Sequence, residues 1–282
     1  MPELPEVETV KQRLSEILTG KTISQIKVLR EKSFKGNPQQ VAGLCINNIS
    51  RRAKLLRFKF DNNLNLLIHL KMTGQLINTE DDQRIGGGHP TADWVDSLPS
   101  SHTRVVIHFE DGSTLFFNDM RVFGWIKMLT DDQIQQEYSR YGPDANSSEF
   151  TAEYLKEKLQ TRTIAIKQAI MINEILAGVG NIYASEALFL AGIDPRKSAK
   201  KLSLQEVKLL VVEIKKVIEA GIKHGGTTFD GKFVDVSGLS GNHQKHLHVY
   251  GRDGDNCDNC GSEIKKVKIG GRGTYYCEHC QS

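Results

Sequence analysis

Apolar residues recur at helical spacing at the start of the chain. Val7, Val10, Leu14, Ile17 and Leu18 share one helical face, and Gly20 ends the run. This predicts a helix over residues 5–19. From Lys21 to about Met128 the rhythm becomes that of strands. The segments 23–28, 55–60, 64–70, 105–109 and 114–117 are short, apolar and bounded by turn residues. Asp111-Gly112, between the last two, is a hairpin signal. The stretch from Glu80 to Pro99 is polar, contains Gly86-Gly87-Gly88 and Pro90, and is expected to be a long surface loop. Several short antiparallel strands behind one helix predict a β-sandwich.

Around Tyr141-Gly142-Pro143-Asp144 the texture turns helical. Segments 149–159, 163–173, 181–191 and 203–222 each carry apolar residues at helical spacing. Gly178-Val179-Gly180 breaks two of them apart, and Asn181 is suited to cap the next helix. Residues 224–245 are rich in glycine and lack clear periodicity, so a mobile loop is expected there. No internal repeat or low-complexity tract is present.

Length and composition narrow the picture only a little. The chain's 282 residues are enough for two domains with real cores and a small metal-stapled module. No stretch has the apolar length of a transmembrane helix. The formal charge of +3 is too mild to announce nucleic acid, so any such argument depends on where the basic residues fall. A soluble, cytoplasmic protein is expected.

The cysteines add more. Cys257-x-x-Cys260 and Cys277-x-x-Cys280 are separated by sixteen residues, the spacing of a zinc ribbon, and four thiolates suit one tetrahedral zinc ion. Two disulfides or a redox pair are the alternatives. Disulfides are disfavoured because the acidic opening is not a secretory signal. Cys45, within the apolar run 41–49, reads as a small core residue.

The opening, Met1-Pro2-Glu3-Leu4-Pro5-Glu6-Val7-Glu8-Thr9, places a proline where removal of Met1 would expose a secondary amine. Such an amine attacks an electrophilic carbon to give a cationic iminium. Glu3, next to it, is placed to trade protons. Alternatively, both prolines simply favour a helix start and Glu3 a helix N-terminus.

The opening, Arg51-Arg52-Ala53-Lys54, His69-Leu70-Lys71-Met72-Thr73-Gly74, Asp119-Met120-Arg121-Val122-Phe123-Gly124, Gly178-Val179-Gly180-Asn181-Ile182-Tyr183-Ala184-Ser185-Glu186 and the cysteine ribbon together resemble the bacterial formamidopyrimidine-DNA glycosylases. These blocks run in that family's order along the whole chain. Leu4 and Val7 favour this family over the related endonuclease VIII branch.

The resemblance implies an α+β multidomain protein. A catalytic β-sandwich domain would occupy 1–130, a linker 131–148, a helix–two-turn–helix DNA-binding domain with a lesion-capping loop 149–245, and a zinc ribbon 246–282. It implies a monomeric, nucleoid-associated enzyme of base-excision repair. Such an enzyme acts on damaged double-stranded DNA, flips out an oxidised base, cuts its glycosidic bond and nicks the strand.

By match, Pro2 is the nucleophile, Glu3 the acid/base, Lys54 the β-elimination residue and Arg272, among glycines 270, 271 and 273, the δ-elimination residue. Met72, Arg121 and Phe123 match residues that fill the void left by the flipped base; Met72 and Phe123 otherwise read as core. Phosphate contacts are expected of His102, Arg162, Lys167 and Asn181: His102 and Arg162 match DNA-binding positions of the family, Asn181 lies at a helix N-terminus suited to an anion, and Lys167 reads nearly as well as part of a solvated helix face.

Two departures concern the substrate. His243, Lys245, His246 and His248 stand in or beside the capping loop, where an apolar residue is usual, and Met120 and Val122 flank Arg121 in place of the usual proline and arginine. A non-catalytic damage-binding protein is the competing class. A zinc hydrolase is excluded, because a four-cysteine site leaves no position for water.

Overall fold

The computed structural model describes residues 2–80, 83–88, 97–227 and 242–282. The chain divides into two compact units, one of residues 1–139 with 222–244, the other of residues 140–221 with 245–282.

The first unit opens with α1 (Leu4–Leu18), which buries Leu4, Val7, Val10, Leu14 and Leu18. Two five-stranded sheets follow. One has the order β1 (Ile23–Val28), β8 (Thr103–Phe109), β9 (Thr114–Asp119), β6 (Gly74–Glu80), β7 (Gln83–Gly88). The other runs β2 (Phe34–Lys35), β10 (Trp125–Thr130), β5 (Leu64–His69), β4 (Leu55–Phe60), β3 (Ile46–Arg52). Their inward residues, among them Ile26, Phe58, Ile68, Leu76, Ile107 and Phe117, form one core with the apolar face of α1. The expected β-sandwich is present, and Asp111-Gly112 turns the hairpin between β8 and β9.

Strands absent from the sequence reading have local causes. Ile46 and Ile49 both face the core although they are three residues apart. A bulge between Ile46 and Asn48 shifts the register and breaks the two-residue alternation. Part of the expected loop 80–99 is instead β7, paired antiparallel with β6 along its length. Its glycines permit close packing: a Cβ on Gly87 would lie 2.3 Å from Val10 Cγ2 of α1. Cys45 is only half-buried and makes a bridge with Thr22 at the sheet margin, so it is not a core residue. The expected linker contains α2 (Asp131–Tyr138), opened by a Thr130–Gln133 capping box.

The second unit contains α3 (Ala152–Leu159), a single turn α4 (Ile166–Ala169), α5 (Asn181–Leu190) and most of α6 (Leu204–Lys223). The expected helix over 163–173 shrinks to α4. The amides of Met171 and Ile172 bond three residues back rather than four, and that of Ile166 bonds the Lys197 carbonyl instead. α5 is buried on nearly all sides. From its middle, the Glu186 carboxylate accepts the backbone N–H groups of His248, Val249 and Tyr250 at 2.7, 3.0 and 2.8 Å, anchoring the chain that leads into the ribbon. The ribbon's hairpin is β11 (Lys265–Ile269) with β12 (Arg272–Tyr276), and Phe189, Val249, Cys257, Ile264 and Cys277 pack as its core. Of the expected loop 224–245, residues 228–241 lie outside the described residues, and 243–246 form a 3-10 turn. No helix among the described residues is long and apolar enough to cross a membrane.

Candidate active site and DNA-contact residues

Pro2 and Glu3 are buried at the start of α1, with Glu3 only 3% exposed. Glu3 and Glu6 form a reciprocal capping box: the Glu3 carboxylate accepts from the Glu6 amide, and Glu6 Oε2 accepts from the Glu3 amide at 2.7 Å. Glu6 Oε1 also accepts from Thr227 N–H at 2.9 Å. The helix start thus fixes the acid/base candidate in orientation and keeps bulk water from it.

Lys54 sits on the turn between β3 and β4 and is 7% exposed, which rules out a solvated edge lysine. The preceding residue, Ala53, is held in the left-handed region at φ 55°. Arg51 secures this turn, donating to the Ala53 carbonyl at 2.9 Å and to Glu8 of α1 at 2.6 Å. Burial pushes the Glu8 carboxyl up, but hydrogen bonds and charge from Arg51 and Lys11 hold it below the usual carboxylate range. One side chain of α1 thereby reaches the turn that carries Lys54.

The three expected void-filling residues come from two loops joined by Asp119. Its carboxylate is fully buried, bonds Thr73 Oγ1 and accepts from the amides of Arg121 at 3.2 Å and Gly124 at 2.6 Å. Arg121 N–H also donates to Thr73 Oγ1 at 3.0 Å, so the Met72 loop and the Arg121–Phe123 loop are fastened together. Met72 and Phe123 are exposed, at 39% and 49%, and the Arg121 guanidinium lies 4.8 Å over the Phe123 ring. Core packing is therefore excluded for both apolar residues. His69 opens the first of these loops, its Nδ1 accepting from the Lys71 amide at 3.0 Å. Burial, and then the charges of Lys71 and Lys54, bring its pKa down to about 3. His102 is half-buried beside the second loop, its carbonyl accepting from the Asp119 amide at 2.9 Å.

In the second unit Arg272 is exposed at the start of β12, directly after a two-residue turn in which Gly270 and Gly271 have φ of 55° and 79°. Positive φ at both central positions suits a tight hairpin and calls for glycine. Asn181 differs from its expected role: Gly180 is the N-cap, and Asn181 is the first residue of α5. Its amide donates to the Gly273 carbonyl at 3.0 Å and to Tyr250 Oη at 3.3 Å, so it holds the hairpin that bears Arg272. Lys167 also differs. It is 1% exposed, and its ammonium donates to Thr274 Oγ1 at 2.9 Å and to the Gly273 carbonyl at 3.4 Å, where a phosphate contact or a solvated face had been expected. A cavity of about 260 Å³ lies here, lined by Lys167, Gln168, Met171 and Arg272 among others. Arg162 is exposed after α3, its N–H donating to the Leu159 carbonyl at 3.0 Å.

The ligand sulfurs of Cys257, Cys260, Cys277 and Cys280 all lie within 4.8 Å of one another, the one such group among the described residues. Cys257 and Cys280 approach to 3.8 Å and Cys260 and Cys277 to 3.5 Å, against the edge of about 3.8 Å expected for a tetrahedron with Zn–S bonds near 2.3 Å. These atoms stand in for four thiolates, and the donor set fits one structural zinc ion. His243, His246 and His248 form no second metal group among the described residues.

Residues 1–126 match the formamidopyrimidine-DNA glycosylase N-terminal domain, 141–232 the H2TH domain of the same enzymes, and 254–282 a zinc finger found in FPG and IleRS. The chain belongs to the formamidopyrimidine-DNA glycosylase family. A formamidopyrimidine-DNA glycosylase of Syntrophomonas wolfei is 39% identical over the full length of both chains. One from Synechocystis is 37% identical over 100% of this chain and 98% of its own. Among solved structures, the Lactococcus lactis Fpg (MutM) in complex with DNA containing an oxidised pyrimidine superposes with a TM-score of 0.87 at 32% identity. The same protein with DNA containing N7-benzyl-Fapy-dG gives a TM-score of 0.88 at 31% identity. Both comparisons cover 99% of each chain. Within this glycosylase-family chain, sequence reasoning missed Glu6, Thr73, Asp119 and Tyr250. Each lies inside or next to a block that was singled out, but each acts by holding a neighbour, and one chain read alone carries no sign of such contacts.

Proposed function

We propose that the protein is a base-excision-repair DNA glycosylase with AP lyase activity, acting as a monomer on oxidised purines in duplex DNA of the bacterial cytoplasm. The observation that carries this reading is the helix start: Pro2 and Glu3 are buried together, with the Glu3 carboxylate oriented by the capping box. A protein that only binds damage has no use for a sequestered amine and carboxylate together with a buried lysine in the same unit.

Once Met1 is removed, the Pro2 nitrogen bonds to the sugar carbon C1′ of the flipped nucleotide. The glycosidic bond breaks, and its electron pair leaves with the base, which takes up a proton. The nitrogen loses its own proton, the sugar ring opens and a cationic iminium results, with Glu3 carrying protons between amine and sugar. The iminium acidifies the neighbouring sugar carbon, so that β-elimination expels one phosphate and δ-elimination the other. Lys54 is assigned the first elimination and Arg272 the second. Met72, Arg121 and Phe123 occupy the void in the duplex, while His102, Arg162 and Asn181 serve the phosphate backbone. Zinc, when bound, supplies no chemistry but rigidity to the Arg272 hairpin.

Single-turnover excision from matched duplexes carrying a formamidopyrimidine, 8-oxoguanine or an oxidised pyrimidine tests the substrate assignment. Activity on formamidopyrimidines is expected. Activity confined to oxidised pyrimidines would contradict the purine assignment and favour an endonuclease VIII-like specificity.

A further inference from the structure

His224 and His243 flank the segment 228–241, and their Nδ1 atoms face each other at 3.3 Å. The ring planes are inclined by only 23°, with centres 5.6 Å apart. The centres are farther apart than the nitrogens by about the width of one ring, so both nitrogens lie near the line joining the centres. The rings therefore meet edge to edge, nitrogen to nitrogen, not face to face. One ring donates N–H and the other accepts with its lone pair. A metal ion shared by the two rings fits poorly, since their lone pairs point at each other rather than converge on a third point, and no third ligand completes such a group among the described residues.

The pair sits on a backbone clasp. Asn242 N–H donates to the His224 carbonyl at 3.0 Å, and His243 N–H to the Gly226 carbonyl at 3.1 Å. The next residue, Thr227, donates its N–H to Glu6 Oε1 at 2.9 Å, and Glu6 Oε2 accepts from the Glu3 amide at 2.7 Å. His243, Thr227, Glu6 and Glu3 are all buried. A hydrogen-bonded chain thus runs from the imidazole pair to the residue beside Pro2, with little solvent to absorb a displacement at either end.

We propose that His224 and His243 are positioning residues for this reaction: their shared-proton contact fixes Thr227 against Glu6 and so sets the place of Glu3. The proposal rests on the reading of Pro2 and Glu3 as the reacting groups. The test compares His243→Leu, which removes the hydrogen bond, with His243→Asn, whose amide offers an N–H close to the position of Nδ1. The readouts are the rate of borohydride trapping on abasic duplex at saturating enzyme and the affinity for uncleaved duplex. In wild-type protein, ¹⁵N NMR should also show scalar coupling across an N–H···N bond. His243→Leu should trap about ten-fold more slowly or worse with unchanged affinity, in line with the cost of a small misplacement, and His243→Asn should recover most of the rate. A wild-type rate in His243→Leu, or equal losses in both variants, would overturn the proposal. A wild-type protein that traps no DNA at all would overturn the reading of Pro2 and this proposal with it, a result plainly different from an unaffected variant.

Discussion

The Lys167 ammonium donates to Thr274 Oγ1 at 2.9 Å, so a lysine of α4 props the ribbon strand that starts with Arg272. Together with the Asn181 contact to Gly273, this makes the arginine-bearing hairpin a supported element rather than a free loop tip.

A buried prop and a phosphate contact predict different salt behaviour. Lys167→Met should weaken duplex binding by about ten-fold while leaving the dependence of affinity on salt unchanged, because no phosphate contact is lost. Anisotropy titrations across a salt series measure this. A slope reduced by about one would show that Lys167 touches a phosphate in the complex.

Metal and DNA binding should be lost together. Cys277→Ala should hold no zinc, and duplex affinity should fall because the hairpin that bears Arg272 depends on the knuckles for its position. Metal analysis alongside binding checks the link, and full binding by metal-free protein would break it.

Arg121 and Asp119 should fail in different ways. Arg121 is exposed, so Arg121→Ala should leave stability within about 0.5 kcal/mol of the parent. It should slow excision of a base more than trapping of an abasic site, which has no base to expel. Asp119→Ala removes a buried acceptor shared by two loops and should cost roughly 3 kcal/mol in stability, with both reactions impaired. Denaturant unfolding and the two single-turnover assays separate these outcomes. Equal losses on both substrates for Arg121→Ala would argue against a void-filling role.

His69 gives a pH prediction. Its folded-state pKa, about 3, lies below the unfolded value near 6.5, because burial and the charges of Lys71 and Lys54 disfavour the imidazolium. The stabilisation is therefore fully present above about pH 6.5 and is lost as pH falls through that window towards 3. Proton NMR should show this histidine untitrated down to about pH 4. His69→Gln should have a shallower loss of stability between pH 6.5 and 4 than the parent.

Much of the fold was legible because local pattern and tertiary role coincide. The amphipathic α1, the runs of β1 and β4, the Asp111-Gly112 hairpin and the paired cysteines announce themselves by period, turn chemistry or spacing. Legibility failed where packing overrode pattern. The bulge in β3 hid its alternation. β7 looked like a loop because glycine, which weakens a strand in isolation, is what lets it lie against Val10. Lys167 and Asn181 read as surface groups because nothing in a single chain reveals that Gly273 and Thr274, about a hundred residues later, receive their hydrogen bonds. The imidazole pair escaped for the same reason: His224 and His243 sit nineteen residues apart in a region without periodicity.

The chemistry assigned to Pro2 is tested most directly by borohydride trapping on an abasic duplex, with the mass of the protein measured beforehand. Protein lacking Met1 should form a covalent adduct that maps to Pro2, and Pro2→Gly, which leaves a primary amine, should form it more weakly. Protein that retains Met1 or is acetylated at the N-terminus should form none. Trapping by N-acetylated protein at the native level would place the nucleophile elsewhere in the chain.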